Sequence, residues 1–247
     1  MTKYSNILRL TMNRIFITGT DTGVGKTYVT CTLLQALNAQ NYKTLGLKPI
    51  ASGCSLNQRG KLINDDAVAL QKAASVKCPY EYINPIPLAH PIAPHLAAEQ
   101  AQTILSVSQV KNKISRSLEI EADFQLIEGV GGWAVPLNGH ELLSDLVAAL
   151  KLPVILVVGI KLGCLNHALL TYQRMRDTQV PIIGWIANCI DPGALAIQEN
   201  IDTLKQWINV PCLGVLPFSQ TLNPNGLEIQ KIIHYFERVA SPAANDC

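Results

Sequence analysis

Thr20-Asp21-Thr22-Gly23-Val24-Gly25-Lys26-Thr27 follows the apolar run Ile15-Phe16-Ile17 and leads into Tyr28-Val29-Thr30-Cys31-Thr32-Leu33-Leu34-Gln35-Ala36-Leu37. Strand, glycine-rich turn, Gly-Lys-Thr and helix is the order that a phosphate-binding loop requires. Successive backbone N–H groups of such a loop form an anion-binding hollow, and the start of the helix adds its partial positive charge. Lys26 then reaches the β- and γ-phosphates, and the Thr27 hydroxyl ligates Mg²⁺. One position departs from the usual spacing: five residues before Gly25 stands Thr20, and the glycine, Gly19, comes one residue earlier. An ordinary glycine turn is the alternative, but Gly-Lys-Thr in this setting favours a nucleoside triphosphate site.

Outward from this loop the chain repeats one grammar. Short β-rich runs at 15–18, 44–48, 124–128, 154–158, 182–188 and 212–216 alternate with helical periods at 27–40, 65–74, 107–121, 166–178, 194–207 and 226–239. Ile155-Leu156-Val157-Val158 is continuously apolar, as a strand covered on both faces must be. The alternation predicts an α/β fold: a three-layer, P-loop NTPase-like arrangement with a mostly parallel sheet flanked by helices. Ligands of such sheets bind at the carboxyl ends of the strands, so 19–27, 48–52, 128–133, 159–166, Asn188 and Pro217 carry the chemistry. Residues 13–240 read as one domain, with 1–12 as an N-terminal extension and 241–247 as a C-terminal tail. Five prolines between Cys78 and Pro94 mark that stretch as a long ordered loop.

Composition narrows the classes. Hydrophobic residues make up 48% and charged residues 15% of the 247, which suits a well-buried globular protein without extended disorder. A net charge of +2 gives no basic surface that calls for nucleic acid. The seven cysteines are scattered singly and form no C-x-x-C pair, so a disulfide framework or a zinc site is not expected and a reducing cytoplasm fits. The first eleven residues lack the apolar centre of a signal peptide, and no apolar run is long enough to span a bilayer.

Three charged positions fall where ligands should bind. Lys48, in Leu47-Lys48-Pro49-Ile50-Ala51-Ser52-Gly53, closes the second strand among apolar residues. Burying an unpaired ammonium is costly, so such a lysine points at a partner unless it is simply solvated. Glu128, followed by Gly129-Val130-Gly131-Gly132-Trp133, suits the carboxylate that holds Mg²⁺ opposite the loop threonine. Asp65-Asp66 starts a helix, where first-turn carboxylates are common for reasons of capping alone. His90, His95 and His167 read as structural.

Together these segments resemble the dethiobiotin synthetase family, the ATP-dependent cyclo-ligases of biotin synthesis. The resemblance is carried by residues 16–27, Lys48-Pro49-Ile50-Ala51-Ser52-Gly53, Pro91-Ile92-Ala93-Pro94-His95, residues 128–133, Gly159-Ile160-Lys161-Leu162-Gly163-Cys164-Leu165-Asn166-His167-Ala168 and Gly184-Trp185-Ile186-Ala187-Asn188. They occur in the family's order from about Asn13 to about Phe236, and the family also uses the longer Gly-Thr-Asp-Thr spacing. Departures are Gly23, where some members carry glutamate, and the residues ahead of Met12.

The resemblance implies a reaction. An amine of 7,8-diaminononanoate captures CO₂ (supplied as bicarbonate) as a carbamate, ATP phosphorylates it to a mixed anhydride, and the second amine closes the cyclic urea. It implies catalytic roles for Lys26 and Lys48, with Thr22 and Ser52 as donors to the carbamate. Asp21, Thr22, Gly23, Val24, Gly25, Lys26, Thr27, Tyr28, Asn188 and Pro217 would bind ATP, and Thr27, Asp66 and Glu128 would hold Mg²⁺. Asp66 is preferred to Asp65 by alignment with the family's aspartate. Gly163, Cys164, Leu165 and Asn166, with Ser52, would bind the diamine, the turn taking its remote carboxylate across a homodimer interface. Two rivals remain on the same scaffold: a partitioning-type nucleotide switch, which would carry a lysine where Thr20 stands, and a kinase or amidotransferase-type synthetase.

Overall fold

The computed structural model describes residues 12–241, so the expected extension and tail lie outside the described residues except for Met12 and Ser241. β1 (Asn13–Gly19) runs through the middle of the molecule and α1 (Lys26–Ala39) leaves it. After β2 (Thr44–Leu47) come the two-residue strands β3 (Ile50–Ala51), β4 (Ser55–Leu56) and β5 (Leu62–Ile63), then α2 (Asp65–Ala73). α3 (Tyr80–Ile83), β6 (Ile86–Pro87), α4 (Pro94–Gln100) and α5 (Val107–Leu118) lead back to β7 (Phe124–Glu128). The rest alternates: α6 (Leu143–Ala149), β8 (Val154–Ile160), α7 (Cys164–Asp177), β9 (Ile182–Cys189), α8 (Ile197–Trp207), β10 (Cys212–Leu216) and α9 (Ile229–Ala240).

Six strands form one sheet in the order β10-β9-β8-β1-β7-β2, and every neighbouring pair is parallel. Period-two geometry explains its two buried faces. Ile15 and Ile17 of β1 pack with Val29, Leu33 and Ile232, whereas Phe16 faces Trp133 and the opposite apolar layer. In β8, Ile155 and Val157 join the first layer while Val154, Leu156 and Val158 join the second. Each face is covered by helices, which is why these strands carry no polar alternation. The chain crosses from β2 and β7 on one side of β1 to β8 on the other, so a crevice opens beyond the carboxyl end of β1.

The expected bounds hold end to end for β7 and β10, and β8 runs two residues further than expected. The stretch 78–94 is corrected. It contains α3 and β6, and β6 pairs in parallel with β3, Ile50 opposite Ile86. Lys48 stands one residue beyond β2 instead of closing it. α8 begins at Ile197, because Ala196 takes a left-handed φ of 53° that no helix continues. α9 begins at Ile229, after the 3₁₀ turn Pro224–Gly226. Among the described residues no helix is long and apolar enough to cross a membrane.

Candidate active site

The loop after β1 forms one wall of a cavity of about 670 Å³ lined by Thr22, Gly23, Gly25, Lys26 and Thr27. Gly25, with φ of 80°, is the residue before the first turn of α1. A Cβ there would sit 2.2 Å from Asn188 Nδ2, so the position admits only glycine without a shift. The displaced glycine has a packing reason as well: a Cβ on Gly19 would meet Val24 Cγ2 at 2.6 Å. Lys26 is buried and donates to the Asp21 carbonyl at 3.0 Å. Burial, then the positive charge of Lys48, pulls its pKa down to about 8.

The facing wall is assembled from distant segments. Lys48 and Glu128, both buried, follow or close neighbouring strands β2 and β7, and Asp66 lies in the first turn of α2. The Lys48 ammonium donates to Glu128 Oε1 at 2.5 Å, to Asp66 Oδ2 at 3.1 Å and to the Gly129 carbonyl at 3.2 Å, which uses all three of its N–H groups. Thr27 Oγ1 donates to the same Glu128 oxygen at 2.8 Å and so ties the two walls together. Burial alone would lower the Lys48 pKa, but Glu128 and Asp66 outweigh it and hold it above the ordinary lysine value. Burial would raise Asp66, and Lys48 together with the Thr27 hydroxyl more than offsets that, leaving its carboxyl below the ordinary range. Asp65 is exposed and does not line the cavity, whereas Asp66 does.

Two buried polar atoms here have no partner among the described residues. Ser52 Oγ lines the cavity wall unbonded, and Glu128 Oε2 has no donor although Glu128 is 1% exposed. An orphaned carboxylate oxygen beside Thr27 and half-exposed Asp66 fits a small, hard cation with oxygen ligands. Among the described residues no cluster of three His, Cys, Asp or Glu side chains could hold a metal. Lys26 and Lys48 balance Asp66 and Glu128 in charge, so a polyphosphate gains little net attraction unless a cation accompanies it.

Other expected residues fall at the rim. Asn188, the last residue but one of β9, is almost fully buried, and its Nδ2 donates to the Val24 carbonyl at 2.9 Å. One of the two Nδ2 hydrogens is thus used on the loop, and the other, with the carbonyl oxygen, remains for a ligand. The Tyr28 hydroxyl turns away from the cavity to the Thr221 carbonyl, 2.8 Å away. Pro217 follows β10 on the exposed rim. Gly163, with φ of 88°, precedes α7, which starts at Cys164, two residues before its expected start. Gly163, Cys164, Leu165 and Asn166 do not line the cavity of their own chain. Cys164 is buried, and Lys161 Nζ lies 4.0 Å from Asp21 Oδ2 beside the loop.

Residues without an assigned role also line the cavity: Asn64, Val130, Gly131 and the Pro91–Pro94 turn. Asn64 had a readable signal, since an Asn before two aspartates and a helical period is an N-cap, and its Oδ1 accepts from the Ala67 N–H at 3.2 Å. A groove of about 830 Å³ at the other end of the sheet, lined by Ile182, Pro211, Lys231 and Arg238, is larger but contains none of these groups. Convergence of charge and unpartnered polar atoms, not volume, marks the site.

The chain is similar to known proteins over most of its length. A family model described as an AAA domain matches residues 13–225. The ATP-dependent dethiobiotin synthetase of Cellvibrio japonicus is 49% identical over 202 residues, 82% of this chain and 88% of that protein. The enzyme of the same name from Pseudomonas aeruginosa is 44% identical over 213 residues, 86% of this chain and 93% of that one. Among solved structures, the septum site-determining protein MinD from Pyrococcus horikoshii superposes with a TM-score of 0.56 over 94% of this chain and all of its own. At 17% identity that likeness speaks for the fold alone.

Proposed function

This chain belongs to the ATP-dependent dethiobiotin synthetases, and we propose how its cleft performs their reaction, the ring closure of 7,8-diaminononanoate with CO₂ to dethiobiotin at the expense of ATP. One observation carries the assignment of roles: the Lys48 ammonium, the Asp66 and Glu128 carboxylates and the unpartnered Ser52 hydroxyl converge opposite the phosphate loop. The loop amides of residues 21–28 and Lys26 cradle the triphosphate. Asn188 offers its carbonyl oxygen to the exocyclic amine of adenine, with Pro217 at the base's edge.

Phosphoryl transfer needs positioning and charge neutralisation more than a protein nucleophile. The carbamate and the γ-phosphate are both anionic, so they meet only where cations lie between and around them. Thr22 and Ser52 donate to the carbamate. Lys48 meets the charge that develops as its oxygen attacks phosphorus and ADP leaves. To do so it gives up at least one of its present acceptors. Thr27, Asp66 and Glu128 would hold Mg²⁺, which supplies charge neutralisation to the phosphates when bound. The second amine then attacks the carbonyl carbon, and phosphate leaves.

The diamine's carboxylate reacts with nothing, so its capture only positions the amines or adds binding energy. We assign that capture to the uncapped start of α7 from a second subunit. Leu162, 98% exposed beside the turn, and Leu170, 65% exposed on the helix, give this face an apolar surface that a second copy would cover. The free thiols of Cys31, Cys54, Cys78, Cys164, Cys189 and Cys212 favour a reducing compartment, the cytoplasm.

With ATP, Mg²⁺, bicarbonate and the diamine, the protein should release ADP, phosphate and dethiobiotin in equal amounts. ATP hydrolysis indifferent to the diamine would overturn the assignment and favour a nucleotide switch. The shared site is tested by mixing inactive Lys26→Ala chains with inactive Gly163→Trp chains. A mixed dimer holds one complete site and should recover activity. No recovery despite demonstrated subunit exchange excludes sharing.

A further inference from the structure

We propose that Asn84 and Tyr80, joined to Asn64, are positioning residues that set the Lys48 ammonium relative to Asp66 and Ser52. Lys48 lies outside the sheet, since β2 ends at Leu47, and the residue after it is a proline with no N–H to give. Its backbone is held instead by the 80–84 segment. The Lys48 N–H donates to the Ile83 carbonyl at 2.8 Å, and Asn84 Nδ2 donates to the Lys48 carbonyl at 2.7 Å. Asn84 is 2% exposed, and its Oδ1 accepts from the Tyr80 hydroxyl at 3.1 Å. That hydroxyl in turn accepts from the Asn64 N–H at 2.8 Å.

Asn64 closes the chain. Its side chain caps α2, the helix whose first turn presents Asp66, and its Nδ2 leans towards the Ser52 carbonyl at 3.5 Å. Three site residues from three segments thus hang on one run of hydrogen bonds. A lysine side chain has four rotatable bonds, so its ammonium is only as well placed as its backbone and its acceptors. Misplacement of a catalytic group by about 1 Å can cost on the order of 10²-fold in rate. Buried networks of this kind hold position because each member left unsatisfied is costly. The Tyr80 hydroxyl is able to donate, since burial moves its pKa further above the ordinary tyrosine value.

The inference rests on the role given to Lys48, and a double-mutant cycle separates the two. Tyr80→Phe removes one oxygen and keeps the ring. It should lower kcat for dethiobiotin about tenfold while ATP affinity stays within about twofold of wild type. Asn84→Asp, which keeps an acceptor for Tyr80 but loses the donor to Lys48, should lower it further. In a Lys48→Ala background, assayed by incorporation of labelled bicarbonate, neither change should matter, because the ammonium whose placement they set is gone. Losses that multiply in that background overturn the frame, whereas a wild-type protein that makes no dethiobiotin overturns the reading of the site instead. A second readout needs no turnover. In protein labelled at the lysine side-chain carbons, the resonance absent from Lys48→Ala should shift in Tyr80→Phe while that of Lys26 stays. An unmoved Lys48 resonance also overturns the frame.

Discussion

On one side of the cleft, a single uninterrupted stretch from Gly19 to Thr27 folds against the end of β1 and offers backbone groups; on the other, Lys48, Ser52, Asp66 and Glu128 arrive from separate segments and are held by side-chain hydrogen bonds. The first wall depends on backbone shape, so its tolerance is set by glycine geometry and steric space. The second depends on a network, so its tolerance is set by whether each polar atom keeps its partner. Thr27 and Glu128 are the hinge between the two designs, since the one hydroxyl bonds the one carboxylate.

The local wall should break sharply and at single positions. Gly25→Ala combines a left-handed φ with a Cβ 2.2 Å from Asn188 Nδ2. Relief means pushing Asn188 off the Val24 carbonyl, which spoils both the loop and the contact proposed for adenine. Together, strain and a lost buried hydrogen bond are worth about 3 kcal/mol, so ATP should bind on the order of 10²-fold more weakly. Gly23→Ala has a nearly equal φ of 77° but nothing within 4 Å of its Cβ. It should cost about 1 to 2 kcal/mol of stability and leave ATP affinity within a few-fold of wild type. Calorimetric titration and thermal melts of the two variants decide this, and equal effects on ATP would mean that steric contact with Asn188 is irrelevant.

The same contrast governs what could be read from the residues in order. The phosphate loop, β7 and β10 were legible because their signals are short-range: glycines at fixed spacing, or apolar runs bounded by turns. Lys48 and Glu128 were legible as charges standing where strands end. Their mutual bond, across 80 residues of chain, was not. The positioning segment was missed altogether. α3 has four residues and β6 two, too few for any period to show, and Pro79, Pro85 and Pro87 read more simply as a loop. α4 carried a usable mark, a proline at its first position, and α6 did too, since Asp145 accepts from the Leu142 N–H at 2.7 Å as an N3 acid does. Asp66 over Asp65 was open from capping alone; the fold settles which of them faces Lys48.

The two lysines offer the finest test, because their environments pull in opposite directions. Lys26 sits in the backbone wall with one carbonyl partner, and its pKa falls to about 8; Lys48 sits in the network wall between two carboxylates, and its pKa rises. A triphosphate placed against Lys26 favours the charged ammonium and returns its pKa towards the ordinary lysine value. Bound protein then holds more protons than free protein between a pH of about 8 and the ordinary lysine value, where the phosphates of ATP are themselves fully ionised. ATP binding in the presence of a chelator should therefore take up a fraction of a proton per site near pH 9 and almost none at pH 7. Affinity should decline as pH climbs past about 8. Lys48, already charged and paired throughout this range, should contribute nothing, so the uptake should disappear in Lys26→Met and persist in Lys48→Met. Titration calorimetry in buffers of different ionisation enthalpy measures it directly. Uptake that follows Lys48, or none at pH 9, would mean that the loop lysine is as freely charged as one in water and that burial behind the phosphate loop does not bias it.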